Sequence, residues 1–439
     1  MPPLPKLKVL ERCRISPAPE RTADCRPVLP LTYFDLLFLH FPPVQRVFFF
    51  DLPLTKSQLI DSELPKLKLS LSLALRRFYP LAGSIVLPGA GKAPYIFCSN
   101  SDSVSFTVAT SSDDFYDLSA CYARAAARFR PIVPPIQAAA LFSVQVTLFP
   151  TAGVAIATTV HHAAADGSAY THFMKTWAAI AKLGESPALS VIPPPVFDRD
   201  LVTDPLGLEE TFLKETENLK NDKSLEAWDI SGRQDLVRVT FVFRREDLNR
   251  LARRVAVPCS PYALVCGLTW ACRARARGDR SAKRERFGFV TGCRPRLRPT
   301  VPAAYFGNCL GICCVEMDRE KLVGEGGAAA AAAAIWEVIR GLEKEEGPFR
   351  RAEGWVEAMR EYAAAAALTV AGSPKLGIYG VDFGWGRARK VELVSIERTS
   401  AVALAESREE EGGMEVGMAL PESEMEVFVA GFVAELAGD

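Results

Sequence analysis

Residues 154–167 read VAIATTVHHAAADG, and the change of pattern at their two histidines decides the fold class. The first seven of these residues are apolar or β-branched, which predicts a buried strand. From Ser168 onward the apolar side chains recur at the spacing of one helix face. Residues 141–149 alternate polar and apolar side chains, which predicts a half-buried strand just before this one. The histidines are therefore expected where a strand meets a helix, a common place for active groups in α/β proteins.

The rest of the chain also predicts mixed α and β structure. Apolar side chains at helical spacing indicate a core helix at residues 57–78. Alternation at residues 237–243 and an apolar run at residues 287–291 indicate strands, and residues 262–275 indicate a further helix. Because 439 residues exceed what one hydrophobic core usually serves, two domains are expected.

Composition places the boundary between these domains. Residues 193–221 are rich in proline and then in charge, without a clear apolar stripe, which is typical of a long crossover loop. An N-terminal domain at residues 1–192 and a C-terminal domain at residues 222–439 follow from this boundary.

Charge and cysteine content exclude several classes of function. Lysine plus arginine equal aspartate plus glutamate, so the formal net charge is zero and no overall field attracts nucleic acid or an anionic membrane. The eleven cysteines are scattered and never spaced as Cys-x-x-Cys, so we expect neither a disulfide framework nor a thiolate zinc site. Cys309, Cys313 and Cys314 are expected to be core residues. Because we find neither a secretory signal nor an apolar run of about 18 residues, we predict a cytoplasmic protein.

Three of the four histidines, His161, His162 and His172, lie in or near the connection from strand to helix. A neutral imidazole can take a proton from an alcohol at neutral pH, which makes His162 the candidate general base. A metal site would need a third ligand close to His162 and Asp166, and the sequence offers none, so no bound metal is expected. A Ser-His-Asp triad would need a Gly-x-Ser-x-Gly elbow, which the sequence lacks. No covalent intermediate is therefore indicated.

Two motifs carry a resemblance to a known family. Residues 162–167, His-x-x-x-Asp-Gly, resemble the first motif of the BAHD acyltransferases, and residues 382–386, Asp-Phe-Gly-Trp-Gly, are similar to their second motif. The first motif also occurs in chloramphenicol acetyltransferases and peptide-synthetase condensation domains, whereas both motifs together, with similarity over residues 31–428, are typical of BAHD enzymes. The resemblance implies two similarly sized chloramphenicol acetyltransferase-like α/β domains with a central solvent channel. It also implies a monomer without bound cofactor that moves an acyl group from a coenzyme A thioester to a hydroxyl.

Further segments resemble the branch of this family that acylates sugars on anthocyanins and other flavonoid or phenolic glucosides. These segments are LTYFD at 31–35, RVFFF at 46–50, YFGNC at 305–309 and YGV at 379–381. Many members of the branch use malonyl-CoA, and others use hydroxycinnamoyl-CoA thioesters. Some malonyl-using relatives carry an arginine shortly after the first motif, where this chain has Tyr170 and His172. This difference speaks against malonyl-CoA, but the resemblance as a whole still implies malonyl-CoA as donor, with hydroxycinnamoyl-CoA as the alternative.

The resemblance also implies roles for residues of the first motif. His162 would face the channel and deprotonate the acceptor hydroxyl. Asp166 would pair with an arginine of the second half, for which Arg294 is the matching position, and the pair would hold the loop that carries His162. Gly167 is expected to support the same loop.

Roles for the second motif follow in the same way. Asp382 is predicted to be a catalytic residue. Its carboxylate is also expected to form hydrogen bonds with nearby backbone groups. Gly384 and Gly386 are expected to allow backbone conformations or close approaches that a side chain would block. The indole N–H of Trp385 is the candidate donor near the developing oxyanion.

The basic cluster after the second motif has two interpretations. Its cations can bind the phosphates of CoA or form a solvated charged edge. The members of the cluster are Arg387, Arg389 and Lys390.

Two other classes of function compete with the transferase. A catalytically silent relative would bind a ligand with the same fold, but the intact first motif favours activity. A condensation module of a peptide synthetase would normally belong to a much longer chain, and the second motif at residues 382–386 also speaks against it.

Overall fold

The computed structural model describes residues 7–19, 27–89, 92–137, 139–219, 223–278, 281–344 and 347–437. Its strands, in chain order, are β1 (Leu7–Ile15), β2 (Val28–Pro30), β3 (Val44–Phe50), β4 (Ser84–Val86), β5 (Tyr95–Phe97), β6 (Val104–Ser111), β7 (Arg124–Ala125), β8 (Phe142–Phe149), β9 (Gly153–Val160), β10 (Leu236–Phe243), β11 (Arg284–Gly292), β12 (Leu310–Asp318), β13 (Leu368–Gly372), β14 (Lys390–Leu393), β15 (Ala401–Glu406) and β16 (Met414–Pro421). The predicted strands around residues 141–160, 237–243 and 287–291 are β8 to β11.

The helices of the described residues separate these strands. They are α1 (Tyr33–Leu36), α2 (Lys56–Gln58), α3 (Leu64–Arg77), α4 (Phe115–Leu118), α5 (Gly167–Leu183), α6 (Glu185–Val191), α7 (Leu208–Leu219), α8 (Arg245–Arg253), α9 (Pro261–Ala276), α10 (Arg319–Val323), α11 (Gly327–Gly341), α12 (Trp355–Ala364) and α13 (Glu422–Ala437). The core helix predicted at residues 57–78 is present, with one π-helical segment, Leu59–Glu63, between α2 and α3. The helices predicted after the histidines and at residues 262–275 are α5 and α9.

The described strands form two large sheets and one small one. The first large sheet has the order β1-β6-β8-β9-β3-β14, the second has the order β12-β11-β13-β15-β16-β10-β7, and the small sheet has the order β2-β5-β4. Each large sheet ends in a strand from the other half of the chain, because β14 pairs with β3 and β7 pairs with β10. The division at residues 193–221 therefore separates most of the two sheets but not these two strands, and the domain boundaries stay a prediction.

Strand β8 was expected to be half-buried, but all eight of its residues are buried. The apolar side chains of β8 face a core formed with α3 and α5. Its polar side chains face the other way, beneath the turns around residues 126–133, where Gln145 donates to the Pro131 carbonyl at 3.0 Å and to Thr147 Oγ1 at 3.2 Å. The alternation was identified correctly, but the second face is covered by protein instead of water.

The crossover segment at 193–221 contains the helix α7, which the sequence reasoning missed. Its buried residues, Leu208, Phe212, Thr216 and Leu219, form one stripe. A threonine at one of these four positions weakens the apolar pattern, and its hydroxyl is satisfied within the helix by the Phe212 carbonyl at 2.6 Å. Residues 220–221 of the predicted loop lie outside the described residues.

A buried ion network joins the two large sheets. Glu392 on β14 lies 2.9 Å from Arg124 on β7 and 3.3 Å from Arg238 on β10, measured between nitrogen and oxygen atoms. Burial by itself raises the pKa of Glu392, but the charges of Arg124 and Arg238, together with Lys390, lower it to about 2. Because removing one member would leave an uncompensated buried charge, this network fixes how the two sheets meet.

The cysteines that were expected in the core differ in their burial. Apart from Cys98, the cysteines that the structure describes are free thiols. Cys309 and Cys313 are buried as predicted, whereas Cys314 is exposed because successive residues of a strand point to opposite faces. Among the described helices, none is long and apolar enough to cross a membrane.

Candidate active site

His162 lies in the short connection between β9 and α5, as predicted. A 3-10 turn, His162–Ala164, begins at this residue, and its imidazole stacks on the ring of Phe38 with centroids 4.1 Å apart and planes 11° apart. Phe41 approaches the same imidazole edge-on at 6.2 Å. Nδ1 is buried and has no hydrogen-bond partner among the described residues. Nε2 is therefore the nitrogen that can meet an incoming hydroxyl.

Local capping explains why the chain turns at this point. His161 Nδ1 accepts a hydrogen bond from the Ala163 N–H at 3.2 Å, which closes the 3-10 turn. Asp166 then caps α5 by accepting from the Ala169 N–H at 2.9 Å. The two caps set the conformation of the residues on both sides of His162.

Asp166 forms a buried ion pair with Arg294. Two guanidinium nitrogens of Arg294 lie 2.6 and 3.1 Å from the two carboxylate oxygens, and the residues are 1% and 7% exposed. The Cys309 N–H donates to the same carboxylate at 3.1 Å. None of the described contacts of Asp166 is to the His162 ring, so this aspartate holds the loop and does not orient the imidazole.

The Asp166–Arg294 pair is one clamp on the loop that carries His162. A second clamp, made by Asn308 and Asp35, was not predicted from the sequence. The Asn308 side chain donates to the His162 carbonyl at 2.9 Å and to Asp35 Oδ1 at 3.0 Å. The other oxygen of Asp35 accepts from the Thr32 N–H at 2.9 Å. Asp35 and Asn308 belong to LTYFD and YFGNC, two segments whose resemblance to one branch of the family implies no role for these residues. Their polar residues within apolar surroundings were the signal that could have assigned them to the site.

A cavity of about 390 Å³ borders His162 and lies between the two large sheets. Side chains from both halves of the chain line it, for example Phe38, Val44 and Val160 from the first half and Phe289, Met359 and Tyr362 from the second. Apart from His162, its charged or titratable lining among the described residues is Arg46, Asp166, Lys375, Cys314 and two tyrosines. A general base at the wall of an apolar cavity can act on two substrates that are held there.

Comparison with known proteins identifies the family. A model of the Transferase family matches residues 5–434. The malonyl-coenzyme A:anthocyanin 3-O-glucoside-6''-O-malonyltransferase of Dahlia pinnata is 36% identical, covering 97% of this chain and 96% of its own. Phenolic glucoside malonyltransferase 2 of Arabidopsis thaliana is also 36% identical, covering 97% of this chain and 98% of its own. The chain belongs to the BAHD acyltransferase family.

A solved structure supports the fold of this BAHD acyltransferase. The crystal structure of vinorine synthase superposes with a TM-score of 0.74 at 19% identity and covers 96% of both chains. The predicted chloramphenicol acetyltransferase-like α/β fold is therefore confirmed. BAHD acyltransferases take an acyl-CoA as co-substrate, so this enzyme is an acyl-CoA-dependent acyltransferase.

In this acyltransferase the second motif supports α5 and lies outside the cavity wall. Asp382 accepts from the N–H groups of Gly384 and Gly386, both at 2.8 Å, and from Lys182 of α5 at 2.7 Å. The two glycines have φ values of 95° and 83°, which favour glycine. Of the described residues that line the cavity, Asp382 is not one. Its interpretation as a catalytic group is therefore not supported by its contacts, which are those of a positioning residue.

Trp385 does not take the place that the sequence reasoning gave it. Its indole N–H donates to Glu63 of the π-helical segment at 2.8 Å, and its ring packs against Phe50 and Phe383. Because the only indole donor is used by a carboxylate, Trp385 cannot at the same time donate to an oxyanion in the cavity. Gly167 does adjoin the cavity, where an added Cβ would lie 3.0 Å from Leu376 Cδ1.

The three cations after the second motif have different surroundings. Lys390 is 3% exposed and lies 2.6 Å from Glu415, so its surroundings fit neither interpretation, CoA binding or a solvated charged edge. Arg389 donates to Ser119 at 3.1 Å and lies 3.5 Å from Asp51. Arg387 is exposed. The three cations therefore do not share one surface. Lys390 is the first residue of β14, and its side chain points to the buried face of that strand.

Proposed function

We propose that this enzyme transfers a malonyl group from malonyl-CoA to a sugar hydroxyl of a phenolic, flavonoid or anthocyanin glucoside. The proposal rests on one observation: two independent clamps hold His162 at the wall of a cavity between the sheets. The names of the Dahlia and Arabidopsis relatives support the donor and the class of acceptor. The predictions of a monomeric and cytoplasmic enzyme belong to the same proposal.

The proposed mechanism needs one residue for proton transfer. Nε2 of neutral His162 removes the proton of the acceptor hydroxyl while the oxygen attacks the thioester carbonyl carbon. The tetrahedral intermediate collapses with cleavage of the carbon–sulfur bond, and the imidazolium returns its proton to the CoA thiolate. No bond forms between the acyl group and the protein. Holding both substrates in one cavity replaces a bimolecular encounter by an oriented one.

The cavity suits an acceptor with an aromatic aglycone. Phe41, Trp228 and Tyr362 line it beside His162, and aromatic rings pack favourably against one another in stacked or edge-to-face arrangements. The same apolar wall is the observation that favours the second candidate, transfer of a hydroxycinnamoyl group to the same acceptors. The two candidates differ in whether the donor carries a carboxylate.

Thiol release by the purified protein tests the proposal. Malonyl-, acetyl- and coumaroyl-CoA are each combined with a panel of flavonoid and simple phenolic glucosides, and free CoA is measured with and without acceptor. We expect acceptor-dependent release that is fastest with malonyl-CoA and is lost in the His162→Ala variant. Faster release with coumaroyl-CoA would support the second candidate, and silence with all donors would favour a ligand-binding relative without activity.

The rate of transfer is expected to fall on the acid side at a pH below the usual pKa of a histidine side chain. Burial lowers the pKa of His162 below its ordinary value of 6.5, because the charged imidazolium loses hydration. The base is active when neutral, so activity falls as pH drops through this lowered pKa and is constant at neutral pH. The measurement is kcat/KM for the acyl-CoA from pH 4.5 to 8, which reports the free enzyme. An inflection above pH 7 would contradict the assignment.

A further inference from the structure

One buried arginine of the cavity has no acidic partner among the residues that the structure describes. Arg46 on β3 is 7% exposed and lines the cavity together with His162. On one side it lies opposite Thr158 of β9, and on the other it lies opposite Leu393 of β14. Its position is therefore fixed by two neighbouring strands in the interior of the first sheet.

The other buried arginines show what is missing at Arg46. Each of four has a carboxylate within ion-pair distance: Arg124, Arg238, Arg294 and Arg319. Among the described residues, no such pair includes Arg46, and its Nη1 is buried without a hydrogen-bond partner. A buried cation without a counter-ion is costly. Within the part of the chain that the structure describes, Arg46 is thus a buried positive charge without a carboxylate partner.

The aromatic ring beside Arg46 compensates only part of this cost. The guanidinium carbon lies 4.8 Å from the centroid of Tyr170, a cation–π contact that offers no negative charge to the guanidinium. The Tyr170 hydroxyl is bonded to Thr158 Oγ1 at 2.7 Å, which keeps the ring in place. Tyr170 is also one of the two residues that this chain has where some malonyl-using relatives carry an arginine.

The strand register brings Arg46 to the same part of the cavity as the general base. Val44 lies opposite Val160, the last residue of β9 and two residues before His162. Side chains two apart on a strand share a face, and both Val44 and Arg46 line the cavity. Arg46 on β3 and His162 just past the end of β9 therefore line the same cavity.

We propose that Arg46 binds the distal carboxylate of the acyl donor and so selects a dicarboxylic acyl-CoA, malonyl-CoA above all. This inference rests on the proposed function and adds the residue that determines donor specificity. A guanidinium can bind both oxygens of a carboxylate in one plane, and such charge-assisted bonds are strong in a water-poor site. An acetyl or coumaroyl group offers no anion at this place and leaves the cation unpaired.

The test compares donors in the wild type and in the Arg46→Met and Arg46→Lys variants. We expect the ratio of kcat/KM for malonyl-CoA to that for acetyl-CoA to fall by about 100-fold in Arg46→Met, as expected for loss of a buried charge pair. Arg46→Lys keeps the charge but not the planar pair of donors, and we expect a decrease of about 10-fold. Arg340→Met, an exposed site on α11, is the matched control and leaves the ratio unchanged.

A loss of activity with both donors in equal proportion would overturn the inference, since it would make Arg46 a structural residue only. Because Arg46→Met removes a buried side chain, its folding is checked by circular dichroism, and Arg46→Lys carries the test if the methionine variant does not fold. Calorimetric titration of malonyl-CoA and acetyl-CoA without acceptor separates this inference from the proposed function. Equal affinity in the wild type, or a wild-type preference that persists in both Arg46 variants, would overturn the role of Arg46, whereas the proposed function fails only if acceptor-dependent release with malonyl-CoA is absent.

Discussion

Replacement of His162 by alanine is expected to lower kcat about 10²- to 10⁴-fold while the protein remains folded. The imidazole is the group at the cavity wall that can accept a proton at neutral pH, because burial lowers its pKa and keeps it neutral. Asp166 cannot replace it, since both of its oxygens are bonded to Arg294. The fold is expected to persist because the substitution leaves both clamps on the loop in place. One clamp is made by the side chain of Asp166, and the other by the backbone carbonyl of residue 162.

The measurement is single-turnover transfer with saturating acyl-CoA and acceptor, with thermal unfolding as the test of folding. His162→Gln keeps most of the contact with Phe38 and should lose activity to a similar extent. His161→Asn is the matched control, because asparagine can accept from the Ala163 N–H as His161 does, and its activity is expected within about 10-fold of the wild type. Near-wild-type turnover in His162→Ala would exclude this residue as the general base.

Removal of the Asp166 carboxylate is expected to cost about 3–5 kcal/mol of the free energy of unfolding, because it leaves the buried charge of Arg294 without a partner. The change also removes the cap of α5 and the acceptor for the Cys309 N–H. The loop that carries His162 then loses one of its two clamps, so transfer should fall as well. Denaturant unfolding of Asp166→Ala measures the first effect, and kcat measures the second.

Two comparisons separate the ion pair from the cap. Asp114→Ala removes a capping aspartate of α4, which accepts from Tyr116 and Asp117 without a buried arginine, and should cost only about 1 kcal/mol. The double variant Asp166→Asn, Arg294→Met removes both charges and should be more stable than Asp166→Ala. If Asp166→Ala were as stable as the wild type but inactive, with an altered pH profile, Asp166 would act in the chemistry and not in support of the loop.

The parts of the site that depend on neighbouring residues could be predicted from the sequence. The strand, the turn with His162 and the helix α5 follow from periods of two and 3.6 residues within about thirty positions. The helix α7 was missed because Thr216 interrupts its apolar stripe. Strand β8 was predicted as half-buried because sequence alternation does not tell whether water or the residues around Pro131 cover the second face.

The sequence alone predicted the mixed α/β class, the place of His162 and, through resemblance, the family, because each depends on local period or on motif spacing along the chain. The Asp166–Arg294 pair was also expected from the resemblance, but the partners of several other charged and polar side chains were decided only by the tertiary structure. Lys390 pairs with Glu415, Trp385 donates to Glu63, and Asn308 reaches the carbonyl of His162. The energy of a buried polar group depends on its partner, and these partners come from distant parts of the sequence. For the same reason, only the tertiary structure shows that Arg46 is buried without a carboxylate partner among the described residues.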